Sequence, residues 1–414
     1  VEIKDFVCTG CALLCDDIGV KTNGNTIEET YNTCRKGAAR IRGDKERLKC
    51  TIKGKEETIY NAIGEAAAIL SGAKKPLIYG FGNSTLETQE KAIELAASLN
   101  AYLDDTSSFC QGPVVEAILE GKVPTCTLDD VRHQADVSLF WGCDPANSHP
   151  RHLSRFSYFP RGEKRQRGWE DDRTAIVIDV RKSDTAEICN KHFYSIPPGS
   201  DGELVEALTS ALTGKIPKVS FNMSSKEILE LANLLKKAEF GAIFVGLGLV
   251  YSLPQIEPIL KLIEALNKSS NFHLIPMVGQ YNMRGFDHLL FEKTGYINRV
   301  KFDGEKVDHG PHCSVMEVLN SDKADAALVI GSDPLGSFPK SIAEKLETIP
   351  TILIDPARNF TSTVADVTIP SAYSGTETGG TAIRMDGERI ELTPFFDSEY
   401  LSDEEILTRI LEAL

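Results

Sequence analysis

No stretch of this 414-residue chain approaches the run of about 18 apolar residues that a membrane-spanning helix needs. No apolar, leader-like segment is visible either, so a cytoplasmic location with no membrane span is expected. Basic residues are in deficit, because 45 Lys and Arg stand against 60 Asp and Glu for a formal charge of −15. Phosphate backbones are held by basic surfaces, and nucleic acid is therefore not an expected partner. One local exception lies between Arg151 and Arg167, where Arg151, Arg155, Arg161, Lys164, Arg165 and Arg167 face a single acid, Glu163. That stretch reads as a solvated loop or as a docking or phosphate-contact surface. With no secretory context, the ten cysteines are not expected to pair as disulfides.

Four of those cysteines crowd the first tenth of the chain, as Cys8-x2-Cys11-x3-Cys15 and then Cys34 in Cys34-Arg-Lys-Gly37. A [4Fe-4S] cube takes one thiolate per iron, and three close cysteines with one distant partner suit its corners. Zinc is the rival, but structural zinc usually draws its ligands as two Cys-x2-4-Cys pairs. The spacing favours the cluster.

Beyond residue 50, short apolar β-rich runs alternate with helical patterns, at 76–80, 137–141, 175–179, 241–246, 274–278, 326–330 and 351–355. Such alternation indicates parallel sheets covered by helices, an α/β architecture. One connecting helix is marked by the capping box Ser224-x-x-Glu227 and an apolar stripe through Ile228, Leu231 and Leu235.

The chain also repeats itself. Ala135-Asp136-x-x-Leu139-x-x-Gly142-x-Asp144-Pro145 returns as Ala324-Asp325-x-x-Leu328-x-x-Gly331-x-Asp333-Pro334. Each copy is followed by an Ile-Asp step, at Asp179 and Asp355, and then by an Ile-Pro step, at Pro197 and Pro370. Two related α/β halves are expected, each able to bind a ligand beyond the carboxyl ends of its strands. Two nucleotide-like groups, or one ligand at a pseudo-twofold seam, would suit such a pair. For either copy alone, Gly-x-Asp-Pro also reads as a tight turn after a strand.

The cluster motif, Trp141-Gly-Cys-Asp-Pro-Ala-Asn-Ser-His-Pro150, Val177-Ile-Asp-Val-Arg181, Pro198-Gly-Ser-Asp-Gly202 and Ala365 to Pro370 through Gly379-Gly-Thr381 together resemble the molybdopterin oxidoreductases. Within that superfamily, Val7 to Ile18 and Ser108-Phe-Cys-Gln-Gly-Pro113 resemble the B-type catalytic subunits of the formylmethanofuran dehydrogenases. The resemblance covers most of the chain. It implies an N-terminal iron–sulfur domain (1–53) and two related doubly wound, Rossmann-like pterin-binding domains. These would be residues 54–148 with 321–373, and residues 149–320, with 374–414 packing back on the first domains. A C-terminal β-barrel of the formate dehydrogenase type would be lacking.

The resemblance also implies roles. Cys8, Cys11, Cys15 and Cys34 would hold the [4Fe-4S] cluster. Cys110 would bind tungsten or molybdenum, between the dithiolenes of two molybdopterin guanine dinucleotides. Asp179 and Asp201 would take the guanine edges, Asn147, Ser148 and His149 would line a nucleotide site, and Lys36 would lie between cube and pterin. Gly142, Asp144, Gly246, Gly248, Gly331, Asp333 and Gly380 complete the expected cofactor contacts. Arg284, in Asn282-Met-Arg-Gly285, would orient a carboxylate with its guanidinium fork. The implied reaction is reduction of CO2 to formate, with electrons entering through the cluster and formate passing to methanofuran on a partner subunit. The implied partners are an amidohydrolase-like formyl-transfer subunit, a β-barrel subunit covering the pterins, and polyferredoxin subunits.

One departure is the residue after the metal thiolate, His in formate-converting relatives and Gln111 here; glutamine hydrogen-bonds but does not titrate. Two other readings stand beside the first, a formate dehydrogenase catalytic subunit and a cofactor-free scaffold homologue within a formyltransferase/hydrolase complex. The His309-Gly-Pro-His312-Cys313 stretch reads as a turn rather than a metal site, and Cys50, Cys126, Cys143, Cys189 and Cys313 as structural.

Overall fold

The computed structural model describes residues 1–43 and 45–414, which form two compact units. The first comprises Val1–Phe109, Gln280–Arg384 and Arg389–Leu414; the second comprises Cys110–Gly279 and Met385–Glu388. Ten strands build the parallel parts of the two main sheets: β1 (Pro76–Gly80), β2 (Tyr102–Asp105), β3 (Val137–Trp141), β4 (Thr174–Asp179), β5 (Phe193–Ser195), β6 (Gly241–Val245), β7 (Phe272–Pro276), β8 (Ala326–Ile330), β9 (Thr351–Asp355) and β10 (Val367–Pro370).

In the second unit all five strands are parallel, in the order β5-β4-β3-β6-β7. In the first unit the parallel strands run β2-β1-β8-β9-β10. Antiparallel hairpins extend both edges of that sheet, Val300–Asp303 with Lys306–His309 on one side and Thr51–Ile52 with Lys55–Glu56 on the other. Most central strands are buried along their whole length, which is why they read as continuous apolar runs instead of alternating ones.

The two orders become one when β8, β9 and β10 are laid on β3, β4 and β5, and β1 and β2 on β6 and β7. The sheets then have the same neighbours in space but are circularly permuted along the chain. Details of the turns follow the same correspondence. Asp136 accepts the backbone N–H groups of Glu239 (3.0 Å) and Phe240 (2.9 Å) just before β6. Asp325 accepts those of Lys74 and Lys75, both at 2.8 Å, just before β1. Each acid thereby fastens the start of one strand to the start of its neighbour, using edge amides that would otherwise be left unsatisfied.

The expected division at 149 and 321 is corrected to 110 and 280. Strand β3 pairs with β4 and β6, so residues 110–148 belong with the second unit and not with 54–109. Residues 281–320 return to the first unit because Val300 pairs with Leu103. The C-terminal segment packs into the first unit's core through Ile406, Leu407 and Ile410 of the helix Asp403–Ala413. No helix among the described residues is long and apolar enough to cross a membrane.

Candidate cofactor sites of the two units

The first unit opens with a three-stranded antiparallel sheet, Glu2–Phe6, Ile18–Asn23 and Thr26–Tyr31, and the cysteine loop lies between its first two strands. Cys8, Cys11 and Cys15 are buried, and the backbone N–H of Cys8 bonds the carbonyl of Cys15 at 2.9 Å, closing the loop. Cys34 caps the helix Arg35–Arg42, its sulfur accepting the N–H of Gly37 at 3.4 Å. The positive end of a helix dipole favours an anionic ligand set there. Gly37 has to be glycine, because a Cβ would collide with Thr33 Oγ1 and come within 2.8 Å of Cys8 Sγ.

Burial pushes the Cys8 thiol up to about 12, and the neighbouring Cys15, Cys11 and Cys34 push in the same direction. Crowded, buried thiols resist ionisation, whereas bound cations invert that balance and deprotonate them. A single zinc with bonds of about 2.3 Å would draw its sulfurs to about 3.8 Å apart. Among the described residues, the trio with ligand atoms all within 4.8 Å of one another is Asp308, His312 and Cys313, and the N-terminal thiols form no such group.

Beside it opens a cleft of about 370 Å3, lined by Thr9, Gly10, Lys36, Asn83, Gly331 and Asp355 among others. It lies beyond the carboxyl ends of β1 and β8, where the direction of strand succession reverses, the usual place for a ligand in an open α/β sheet. Gly331 has φ +56° and its carbonyl accepts Asn83 Nδ2 at 3.0 Å. Lys36 lines this cleft and also acts electrostatically on Cys11, lowering that thiol's pKa against burial. Sequence reasoning did not name Asp355 as a site residue. Desolvation holds its carboxyl up at about 7, with Asp403 adding to the effect and Arg40 and Lys45 opposing it. The repeat carried the signal for it, since Asp355 occupies the position of Asp179.

The corresponding point of the second unit lies at the carboxyl ends of β3 and β6. Gly142, Gly246 and Gly248 meet there, and the N–H of Gly248 bonds the carbonyl of Gly142 at 3.1 Å. A Cβ on Gly142 would lie 2.9 Å from the Gly248 Cα, and one on Gly246 would strike the Gly142 carbonyl. These glycines let two loops close on each other, a different reason for glycine from approach to a phosphate. Asp144 and Asp333 brace their turns: Asp144 Oδ1 accepts Thr185 N (3.1 Å) and Oγ1 (2.6 Å), and Asp333 Oδ1 accepts Thr361 N (2.9 Å) and Oγ1 (2.8 Å).

Other expected contacts also find internal partners. Asp201 is 4% exposed and takes the Trp141 indole N–H at 2.7 Å, and His149 is braced by Val278 O at 2.8 Å and Ser148 Oγ at 2.9 Å. Gly380, at φ +136°, leaves room for Glu87, whose carboxylate holds Thr381 N at 2.9 Å. Asn147, Ser148 and the half-buried Asp179 lie near the strand ends, with Asn147 Nδ2 donating to Asp144 and Asp184, both at 2.8 Å, and Ser148 Oγ to Asp144 O at 3.0 Å. Desolvation raises the Asp179 pKa.

Cys110 opens the second unit, just before Gln111, the N-cap of the helix Gly112–Leu119; it is half-buried and adds to the burial that raises the Tyr251 pKa. Gln111 is fully buried, and among the described residues neither its Oε1 nor its Nε2 has a hydrogen-bond partner. An unsatisfied buried amide costs about 1–3 kcal/mol per group, so this position fits a polar group arriving beside the thiol. In the first unit, Arg284 is 2% exposed and its Nε donates to His288 Nε2 at 3.1 Å.

Burial, followed by the charge of Arg284, keeps the His288 imidazole neutral down to about pH 4. An unfolded histidine takes its proton near pH 6.5, so the unfolded state binds more protons from about pH 4 to about pH 6.5 and stability rises with pH across that window. Substituting His288→Gln should flatten that rise, read as the urea midpoint at a series of pH values. An unchanged slope would remove His288 as its source.

The B-type subunit of a tungsten-containing formylmethanofuran dehydrogenase 2 from Methanocaldococcus jannaschii is 35% identical over 99% of this chain and 98% of its own length. The chain belongs to this family of B-type formylmethanofuran dehydrogenase subunits. The protein of the same name from Methanococcus maripaludis is 34% identical over 99% of this chain and 98% of its own. A nitrate reductase of Klebsiella oxytoca is 23% identical over 76% of this chain and 41% of its own length. Among solved structures, a chain of the formyltransferase/hydrolase complex FhcABCD from Methylorubrum extorquens, in complex with methylofuran, shares the fold. Its TM-score is 0.70 at 22% identity, over 88% of this chain and 98% of that one. No family model matches the chain. Membership of the formylmethanofuran dehydrogenase family places the chain among oxidoreductases.

Proposed function

We propose that this chain is the redox subunit of a formylmethanofuran dehydrogenase, reducing CO2 to formate with two electrons and one proton. The observation that carries the reading is the pairing of the convergent cysteine quartet with an orphaned amide beside Cys110. A cofactor-free scaffold has no use for either. The names of the two 34–35% identical relatives support tungsten, and the nitrate reductase similarity supports the wider molybdenum and tungsten class.

In this reading Cys8, Cys11, Cys15 and Cys34 hold a [4Fe-4S] cluster and Cys110 supplies a thiolate to tungsten or molybdenum carried on two molybdopterin guanine dinucleotides. When bound, the metal supplies the two-electron chemistry. Lys36 places a cation beside Cys11 and the cleft, stabilising added electron density. Asp355 and Asp179 present carboxyls at equivalent strand ends, suited to the N–H edges of two guanines. Arg284, desolvated and fixed through His288, binds the carboxylate product. Gln111 orients a ligand by hydrogen bonding and moves no proton. Formate then passes to an amidohydrolase-like partner, with a β-barrel subunit and polyferredoxin subunits completing the assembly. The fold shared with a chain of a multi-subunit formyltransferase/hydrolase complex supports such an assembly.

Elemental analysis of the anaerobically purified native complex tests the reading. The expected result is about four iron per copy of this chain beyond those of its partners, with about one tungsten or molybdenum. Zinc in the quartet with neither heavy metal would overturn it in favour of a scaffold.

A further inference from the structure

By sequence, the stretch from His309 to Cys313 reads as a turn whose two histidines and cysteine hold no metal. The folded chain rearranges the set. His309 turns away and stacks on Tyr296, with ring centroids 4.1 Å apart and an interplanar angle of 8°. Asp308, on the same edge strand, takes its place: its Oδ2 lies 2.9 Å from His312 Nε2 and 3.8 Å from Cys313 Sγ. Gly310, at φ +145°, turns the chain so that His312 folds back, and a Cβ there would meet the imidazole ring at 3.2 Å.

We infer that Asp308, His312 and Cys313 form a binding site for one divalent zinc-like cation, using none of the quartet cysteines and not Cys110. The ligand types are a carboxylate, an imidazole and a thiol, the set that borderline-soft zinc prefers. Tetrahedral bonds of about 2.0–2.3 Å set O···N near 3.3 Å and O···S near 3.5 Å, each within about half an ångström of the spacing found. Asp308 and His312 keep more than half of their side-chain surface exposed, at 56% and 54%, so a cation with a water as fourth ligand has an entry path. Burial and then Asp308 push the Cys313 thiol up to about 11, and Lys301 and Lys323 oppose them, so the metal must displace the thiol proton to bind.

The placement suggests a clasp. Asp308 belongs to the hairpin that extends the first unit's sheet past β2, while His312 and Cys313 lead into the helix Val315–Asn320. Asp104 at the end of β2 already ties the two, accepting Arg299 N at 3.0 Å and Val315 N at 2.7 Å. A metal at the trio would fasten the same hairpin to the same helix from its outer side.

The test is titration of the cluster-loaded complex, in which the N-terminal thiols are occupied, with Zn2+ by calorimetry and with Co2+ by difference absorption. The expected result is one additional Zn2+ per chain, bound at least about tenfold more weakly after His312→Ala, and a thiolate-to-cobalt charge-transfer band that Cys313→Ser abolishes. His312 is exposed, so its variant keeps the test valid if the buried Cys313 variant does not fold. Absence of an additional equivalent, or equal affinity in H312A, would overturn the site.

Discussion

Replacing Cys110 by Ala should bring CO2–formate exchange to background, a loss of roughly a thousandfold or more, while the reduced-cluster EPR signal keeps its intensity. The two readouts separate because the residues belong to different units. Cys110 opens the second unit just before the helix Gly112–Leu119, whereas the quartet is confined to the first unit's N-terminal sheet and the helix Arg35–Arg42 with its cap. If Cys110 holds tungsten or molybdenum as proposed, its loss removes a soft ligand that neither water nor the neighbouring carboxamide replaces. Gln111 makes the outcome sharper. Its amide has no partner among the described residues, so no internal hydrogen bond holds it when the group beside it is lost. Full activity in the alanine variant would take Cys110 out of the site and leave the formate reading without its metal ligand.

Gly37→Ala should empty the other site. A methyl group at this position would strike Thr33 Oγ1 and stand 2.8 Å from Cys8 Sγ, between the two arms that carry the ligands. Overpacking of this kind costs about 1–3 kcal/mol, and here the strain falls on a ligand sulfur. The expected result is loss of about four iron per chain and of the cluster spectrum, with tungsten or molybdenum content retained. Gly64→Ala is the control. Gly64 lies within the helix Ile59–Gly72, and a methyl group on it would meet nothing among the described residues inside 4 Å. That change should stabilise by about 0.5–1 kcal/mol and leave the iron in place. Equal iron in the two variants would show that the loop tolerates the methyl and that its glycine is incidental.

Much of the fold was legible because buried parallel strands announce themselves. The apolar runs at 137–141, 241–245, 326–330 and 351–355 are strands, and the repeat through Gly142 and Gly331 marks the same turn in both units. The boundaries were not legible, because they depend on which strand pairs with which. Strand β3 sits with the second unit only through hydrogen bonds to β4 and β6, which lie far downstream in the chain, and no local pattern encodes those pairings. The candidate sites divide in the same way. Spacing singled out the cysteine quartet, whose members Cys8, Cys11 and Cys15 the fold gathers in one buried loop. Single glycines and acids carry less signal, since Gly246, Gly248, Asp144, Asp333 and Asp201 also meet internal demands of the fold. Asp355 and Asp308 were passed over, the first because the repeat reached it without a role being drawn from Asp179, the second because an aspartate beside two histidines drew no notice.

The permuted sheets set a timetable for synthesis. Strands β1 and β2 are complete by residue 105, yet β8, the strand that lies beside β1, begins only at residue 326. At about 5–20 residues per second a ribosome needs roughly ten to forty seconds to cross that gap. During the same interval all five strands of the second unit emerge in succession and can close their own sheet. Meanwhile β1, buried at every position in the finished protein, waits with one edge bare. A nascent chain at this stage carries a finished domain and an unfinished one, and the unfinished one offers chaperones an open, wholly apolar strand.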